Sequence, residues 1–395
     1  MHAKKPKHTA ETVLPKQMLR AWESTLLETA RIRGISKEHT SSDDKLNHIL
    51  RAEMGNVRQL WEAFTTDRDQ LPRYLLDPKK QTTAYLLGFH LPNAARMWNL
   101  LYRFGRKYQN DALWKQQNIK IWDFGCGTGA MSQTLATFLM NKKSGPIDLT
   151  LIDQQGPFLD ASRKGFEHLD TEVMVRTIKA KLETAIPSSE DLRQYKGRLN
   201  IVVLGYVWNE LKRNPKAKAK LSTLMKALSD RKTLFLVVEP ANQFIARDAM
   251  ELRNIATETG YTAAYPCGHN SPCPMLERQK DWCYSETTWQ TNKAIQRIDK
   301  NLKINHEFLK YAGYIFASES AMNIMESKIL TGSFPVVGRP VVDKQAKIKK
   351  TEYLVCRGKD LKKYPGSSIK GRTLLRGEAL HTEKTESQPT QRKPK

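Results

Sequence analysis

Short apolar runs separated by longer mixed stretches mark the middle of the chain. They lie at 119–123, 148–153, 199–204 and 233–238, and apolar side chains fill at least half of the positions of each run. Runs of this kind, without strict alternation, are typical of parallel strands that are buried on both faces. The stretches between them are long enough for crossover helices, so the pattern predicts a doubly wound α/β sheet.

The chain before the first run has a different pattern, in which apolar side chains such as Leu46, Ile49 and Leu50 recur every three or four positions. That spacing is typical of amphipathic helices. We therefore expect a helical domain in front of the sheet domain and a basic β module behind it. The expected bounds are 1–16 for a disordered N-terminus, 17–110 for the helical domain, 111–331 for the sheet domain with a cysteine-rich insertion at 265–284, 332–378 for the C-terminal module and 379–395 for a disordered basic tail.

A glycine-rich loop follows the first predicted strand, where the chain reads Asp123-Phe-Gly-Cys-Gly-Thr-Gly129. Glycines at alternate positions allow a tight turn and close approach of a ligand, and the following helix begins with unpaired N–H groups. The spacing differs from the dinucleotide pattern G-x-G-x-x-G. It resembles the first motif of class I S-adenosylmethionine-dependent methyltransferases, although a plain strand-to-helix turn would also explain it.

An acidic residue, Asp153, ends the second predicted strand. A carboxylate at the carboxyl edge of an open α/β sheet can accept hydrogen bonds from both hydroxyls of a ribose, whereas a lone Asp there is more often a helix cap. With the glycine loop, ribose binding is the favoured interpretation. The predicted cofactor-binding residues are Asp123, Gly125, Cys126, Gly127, Thr128, Gly129, Asp153 and Gln154.

The charge of the chain favours a polyanionic partner. Sixty-five Lys and Arg against forty-one Asp and Glu give a formal net charge of +24. Such an excess suits nucleic acid or an anionic membrane surface. No apolar run approaches the ~20 residues that span a bilayer, so nucleic acid is preferred over a membrane. Without a secretory h-region the expected location is the cytoplasm, with the mitochondrial matrix as the alternative.

Three of the five cysteines, Cys267, Cys273 and Cys283, lie close together in a segment rich in proline. The spacings C-x5-C and C-x9-C match neither common structural zinc sites nor ferredoxin runs. Spacing alone therefore leaves a metal site and buried free thiols equally open. A fourth ligand would have to be His269 or Cys356.

The order of these features resembles the mitochondrial small-subunit ribosome assembly family of methyltransferase-like proteins, which has bacterial members. The resemblance covers roughly residues 45–375 and is most specific in the cysteine segment. It rests on the loop at 123–129, Glu239-Pro240, the Cys267–Cys283 segment, the late basic strand with Cys356, the Ala84–Pro92 stretch and the Tyr311–Ser318 strand. A departure is Ala-Asn-Gln after Pro240, where the family has a Gly-rich continuation.

The resemblance implies a class I (Rossmann-like) methyltransferase sheet and a [4Fe–4S] cluster. Carried over by position, the cluster ligands are Cys267, Cys273, Cys283 and Cys356, with zinc as the alternative metal. The implied partner is small-subunit rRNA or a precursor of the small ribosomal subunit, rather than DNA.

Catalytic residues are not identifiable from the sequence. The stretch Leu204–Glu210 lacks the [DNS]-P-P-[YF] tetrapeptide of exocyclic-amine methyltransferases. Tyr206, Trp208 and Trp282 could stack a base, although buried core aromatics explain them as well. The favoured function is a small-subunit assembly or translation factor that binds S-adenosylmethionine and rRNA. The alternatives are an active rRNA methyltransferase and, more weakly, a zinc-containing small-molecule methyltransferase.

Overall fold

The structure, a computed structural model, describes residues 11–35, 41–65, 77–108, 111–188, 190–325, 333–338, 341–342, 351–366 and 374–381. Its helices are α1 (Lys16–Ile32), α2 (Ser42–Thr65), α3 (Pro78–Tyr85), α4 (Leu91–Tyr108), α5 (Ala130–Asn141), α6 (Gly156–His168), α7 (Leu182–Ala185), α8 (Trp208–Leu211), α9 (Pro215–Leu228), α10 (Gln243–Glu258), α11 (Lys293–Leu302) and α12 (Glu319–Met325). A π-helical turn, Leu86–His90, joins α3 to α4.

The strands are β1 (Ile119–Phe124), β2 (Ile147–Asp153), β3 (Val173–Lys179), β4 (Leu199–Gly205), β5 (Thr233–Glu239), β6 (Thr262–Tyr265), β7 (Ser285–Thr288), β8 (Phe308–Ala317), β9 (Ser333–Pro335), β10 (Val341–Val342), β11 (Thr351–Arg357), β12 (Asp360–Gly366) and β13 (Ala379–His381). The four predicted strand runs are β1, β2, β4 and β5, and each is confirmed.

The large sheet has the order β3-β2-β1-β4-β5-β8-β6, with β7 paired to β8. Strands β1 to β5 are parallel, and β8 runs antiparallel between β5 and β6. This is the strand order of class I methyltransferases, so the predicted fold class is confirmed. The carboxyl ends of β1, β2 and β4 meet at one edge, where a ligand site is expected in an open α/β sheet.

Both faces of the sheet are covered, which explains why its central strands are mainly apolar without strict alternation. On β1, Ile121 packs into a core shared with the N-terminal helices. Trp122, the next residue, packs into a second core that includes α9, α10 and the four cysteines of the predicted metal site. Successive strand residues point to opposite faces, so each central strand contributes to both cores.

The first described residues are part of the fold, which corrects the prediction of a disordered N-terminus as far as residue 16. Thr12 is buried and forms a β-bridge with Trp289. The carboxylate of Glu11 pairs with Arg103 of α4. Residues 1–10 lie outside the described residues.

A small β module follows the sheet domain, as predicted. Strands β10, β11 and β12 form one sheet, and β9 pairs with β13. Alternation along β11 divides its side chains: Tyr353 and Val355 fill the core of the module, whereas Cys356 faces the cysteine insertion. The strand β13 corrects the prediction that disorder begins at residue 379; residues 382–395 lie outside the described part. Within the described residues, no helix has the length and apolar character needed to cross a membrane.

Candidate cofactor cavity and cysteine cluster

The glycine loop after β1 adopts a conformation that only glycine accommodates easily. Gly125, Gly127 and Gly129 all have positive φ, at 68°, 54° and 81°. A Cβ on Gly125 would lie 2.6 Å from Cγ2 of Val207, and one on Gly129 would lie 2.2 Å from Oγ of Ser162. Any side chain at these two positions would therefore push the loop away from its neighbours.

Asp153, at the end of β2, holds this loop in place. Its Oδ2 accepts the Gly127 N–H at 2.9 Å, and its Oδ1 accepts the Gln155 N–H at 2.8 Å. Burial raises the pKa of Asp153, and these backbone N–H groups offset part of the increase. The carboxylate thus lies between the loop and the start of α6, at the position predicted for ribose recognition.

A cavity of about 370 Å³ opens beside the loop and Asp153. Of the predicted cofactor-binding residues, Gly125, Gly127, Asp153 and Gln154 line it. Its size falls within the range of small-molecule sites, about 300–1,000 Å³. The same cavity is lined by Tyr206, a candidate base-stacking residue, and by residues that sequence reasoning missed, including Phe64, Tyr85, Phe158 and Lys181.

Aromatic side chains from the helical domain form one wall of the cavity. Tyr85, at the end of α3, stacks on Phe89 with ring centroids 5.3 Å apart and contacts Phe158 of α6 at the same distance. Phe64 of α2 packs edge-on against both Tyr85 and Phe89. The helical domain therefore completes the cavity. The spacing of apolar residues in its sequence does not indicate this role.

The other predicted cofactor residues lie behind the cavity. Thr128 is buried, and its hydroxyl lies 2.9 Å from Nδ1 of His90 in the π-helical turn. Burial lowers the pKa of His90 to about 4, so the ring is neutral at neutral pH. Burial likewise raises the pKa of the Cys126 thiol well above its ordinary value, which agrees with a packing role.

Asp123 is a buried carboxyl group beneath the glycine loop. Neither of its oxygens makes a well-formed hydrogen bond within the described residues, although Ser132 of α5 lies close by. Burial raises the pKa of Asp123 to about 7, and the charge of Asp153 adds to the increase. A buried carboxyl group with unsatisfied oxygens can accept a donor or a positive charge from a ligand.

The turn after β4 forms the opposite side of the cavity and contains an unusual backbone conformation. Tyr206 lines the cavity with φ of 63°, in the left-handed region that non-glycine residues rarely occupy. The buried carboxylate of Glu239 accepts hydrogen bonds from the Trp208 N–H at 2.7 Å and the Asn209 side chain at 2.9 Å. Glu239 thus fixes this turn to the end of β5.

The candidate base-stacking residues have different surroundings. Trp208 is buried, and its indole N–H donates to the Asp248 carbonyl at 2.8 Å. The indole N–H of Trp282 donates to the Ala241 carbonyl at 2.8 Å. Of the three candidates, only Tyr206 lines the cavity.

Three cysteines of the insertion and one of the C-terminal module lie in one apolar core. Cys267, Cys273, Cys283 and Cys356 are buried, unpaired in disulfides and members of the same core. Burial raises the pKa of Cys283 well above its ordinary value, and the other three cysteines add to the increase. Burial raises the pKa of Cys356 to about 12, with further contributions from Cys267 and Cys273. The four groups therefore lie within range of one another's charge.

His269 lies beside this cluster. Its Nε2 is 3.3 Å from Sγ of Cys356, and its Nδ1 is 3.3 Å from Nη2 of Arg253. Burial and the Arg253 charge lower the pKa of His269 to about 4. Among the described residues, no group of three or more His, Cys, Asp or Glu side chains that could hold a metal ion is found.

Comparisons with known proteins found one family and several solved structures that resemble this chain. A model of the family described as mitochondrial small ribosomal subunit Rsm22 matches residues 116–360. The chain is similar to a candidate class I S-adenosylmethionine-dependent methyltransferase from Listeria monocytogenes, with 12% identity, 77% of this chain and 87% of that one covered, and a TM-score of 0.35. It is also similar to a candidate RNA methyltransferase from Pyrococcus horikoshii, with 10% identity, 57% and 82% covered, and a TM-score of 0.31. No curated protein matches.

Proposed function

The chain belongs to the mitochondrial small ribosomal subunit Rsm22 family, and from that membership we propose that it is an assembly or translation factor of the small ribosomal subunit. It binds S-adenosylmethionine in the cavity, contacts rRNA and carries a [4Fe–4S] cluster on four cysteines. The family description favours the mitochondrial matrix, the alternative location that the sequence left open.

The main structural support for this proposal is a series of contacts that links the cavity to the cysteine cluster. Glu239 holds the turn at the cavity, and two residues further on the Ala241 carbonyl accepts the Trp282 indole N–H. Trp282 is followed directly by Cys283 of the cluster. The two candidate sites are thus linked through the end of β5 and the residues that follow it.

The residues around the cavity suit S-adenosylmethionine. Asp153 can accept hydrogen bonds from the ribose hydroxyls, and the glycine loop allows backbone N–H groups to approach the ligand. Asp123 is buried beneath the glycine loop and does not line the cavity, so the proposed cofactor contacts are those of Gly125, Gly127, Asp153 and Gln154. When bound, the cofactor would supply an activated methyl group; the residues described here bind and orient it.

The cysteine cluster suits an iron–sulfur centre because four thiolates are the usual ligand set of a [4Fe–4S] cluster. The thiols are buried among apolar groups, and the raised pKa values of Cys283 and Cys356 mean that both would ionise only beside a cationic centre. Four sulfurs bound to a single zinc ion would lie about 3.8 Å from one another, because each Zn–S distance is about 2.3 Å. Zinc held by the same four thiolates is the alternative centre.

Replacing Asp153 with asparagine is expected to weaken S-adenosylmethionine binding about tenfold to hundredfold. A hydrogen bond to a charged group contributes about 1.5–3 kcal/mol, and the variant loses the negative acceptor. Calorimetry on the full chain measures the affinity. Asp160→Asn, the same change at an exposed residue of α6, should bind like the wild type. Equal affinity of Asp153→Asn and wild type would contradict the proposed ribose contact.

Binding to small-subunit rRNA is expected to depend steeply on salt, because the net charge is +24. By analogy with duplex DNA, six to ten phosphate contacts would reduce the affinity by about 10³–10⁵ between about 50 and 200 mM salt. Filter binding at several salt concentrations, with an unrelated RNA of equal length as the control, measures this slope. A flat response would count against rRNA as the partner.

An active rRNA methyltransferase is the second candidate function. It is favoured by the cavity, which Gly127 and Asp153 line. Labelled methyl transfer to precursor small subunits and to naked rRNA separates the two functions. A protein that binds the cofactor but transfers no label is a factor, whereas stoichiometric label in rRNA identifies an enzyme.

A further inference from the structure

Arg253 of α10 is a charged side chain without exposure to solvent and, in the part of the chain that the structure describes, without a carboxylate partner. The residue is 0% exposed. Its Nη1 donates to the Ser271 carbonyl at 2.6 Å and to Oδ1 of Asn254 at 2.9 Å. Its Nη2 donates to the His269 carbonyl. No carboxylate pairs with it among the described residues, and a buried charge of this kind is costly unless an anion compensates it.

Arg253 is linked to the cysteine cluster through the groups that it contacts. Oδ1 of Asn254, which accepts from Nη1 of Arg253, also accepts the Cys273 N–H at 3.2 Å, and His269, which contacts Nη2, lies 3.3 Å from Sγ of Cys356. The acceptors of Arg253 at positions 269 and 271 lie in the loop between Cys267 and Cys273. The guanidinium therefore both braces the loop and places a positive charge beside the sulfurs.

The same guanidinium determines which nitrogen of His269 is protonated. Arginine is only a donor, so Nδ1 of His269 must accept from Nη2 at 3.3 Å. In a neutral ring the proton then lies on Nε2, which is 3.3 Å from Sγ of Cys356. His269 consequently donates a hydrogen bond to the one cysteine of the cluster that belongs to the C-terminal module.

We propose that Arg253 and His269 are positioning residues of the thiolate centre: Arg253 compensates its negative charge, and His269 holds Cys356 by an Nε2–H···S hydrogen bond. This inference rests on the iron–sulfur centre proposed above. Positive charge and hydrogen bonds to the sulfurs stabilise the reduced, more negative cluster and so raise its potential. His269 is thus a neighbour of the centre rather than its fourth ligand, the role considered for it in a zinc site.

The test compares anaerobically purified full chains with His269 replaced by leucine or by glutamine. Leucine removes the donor, so the cluster's midpoint potential should become more negative and iron release to a chelator should be at least about tenfold faster. Glutamine retains an N–H donor and should restore most of both properties.

Arg247→Gln is the matched control, which separates an effect of bracing the insertion from an effect of charge beside the sulfurs. Arg247 donates to the carbonyls of Met275, Leu276, Arg278 and Asp281 in the same insertion, but it is not among the charges that act on Cys273, Cys283 or Cys356. Its substitution should leave the potential unchanged.

Different results overturn the proposed iron–sulfur centre and the proposed role of its neighbouring residues. A wild-type chain without an iron–sulfur spectrum overturns the proposed centre itself. With a cluster present, a potential and iron release unchanged in His269→Leu overturn the role of His269, and a potential unchanged in Arg253→Gln overturns that of Arg253.

Discussion

Replacing Cys283 with serine is expected to remove most of the iron from the protein, from about four iron atoms per chain to fewer than about one. Cys283 is buried within range of the other three thiols, and serine cannot provide the soft thiolate that holds iron in a cluster. Iron analysis and the visible absorbance of anaerobically purified protein measure the loss.

Cys126→Ser is the matched control for this substitution. Cys126 is also buried, but it lies in the glycine loop and not in the core that contains the other four cysteines. The Cys126→Ser protein should keep the full iron content of the wild type. Iron retained by Cys283→Ser would remove Cys283 from the ligand set.

Replacing Arg103 with methionine is expected to destabilise the protein by about 3–5 kcal/mol, the usual cost of leaving one charge of a buried pair alone. Arg103 is 6% exposed and binds both oxygens of Glu11, at 2.8 and 2.9 Å. It also donates to the carbonyls of Glu286 and Arg376. One side chain thus joins the N-terminus, α4, β7 and the segment before β13.

Urea unfolding measures this effect, with Arg163→Met as the control. Arg163 pairs with Glu167 on the surface of α6, and exposed pairs of this kind contribute about 0–1 kcal/mol. A loss for Arg103→Met no larger than that of the control would contradict the role of Arg103.

The pH dependence of stability provides a second readout of the same pair. Burial alone would raise the pKa of Glu11, but the charge and hydrogen bonds of Arg103 outweigh it, and the pKa lies below its ordinary value of 4.5. The stabilisation is therefore present above pH 4.5 and is lost as the pH falls through the lowered pKa. Arg103→Met should lack this acid-dependent loss.

The parts of the fold that follow from local pattern were predictable from the sequence. Strands β1, β2, β4 and β5 are buried on both faces, so their apolar runs are unambiguous. Strand β3 escaped prediction because it lies at the sheet edge and is mostly exposed, with Met174 64% exposed.

The candidate sites were predictable only where chemistry depends on a local motif. The glycine loop and Asp153 each end a predicted strand, and Gly125, Gly127 and Asp153 line one cavity. Tyr85, Phe64 and the left-handed turn at Tyr206 reach the same cavity through tertiary packing, which no spacing in the sequence reveals. The same holds for Arg253, whose role depends on α10 packing against the insertion.

The convergence of Cys356 on the insertion depends on the alternation of β11, which directs Tyr353 and Val355 to one core and Cys356 to the other. The sequence placed Cys356 in the ligand set through family resemblance, not through spacing. Glu11 and Thr12 were expected to be disordered because a polar terminal segment has no local signal for the ion pair and bridge that fix it.

Native mass spectrometry of the anaerobically purified full chain tests the central claim most directly. The account predicts one [4Fe–4S] cluster per chain on the four clustered cysteines. A mass corresponding to one bound zinc, or to the protein with all five thiols free, would contradict it.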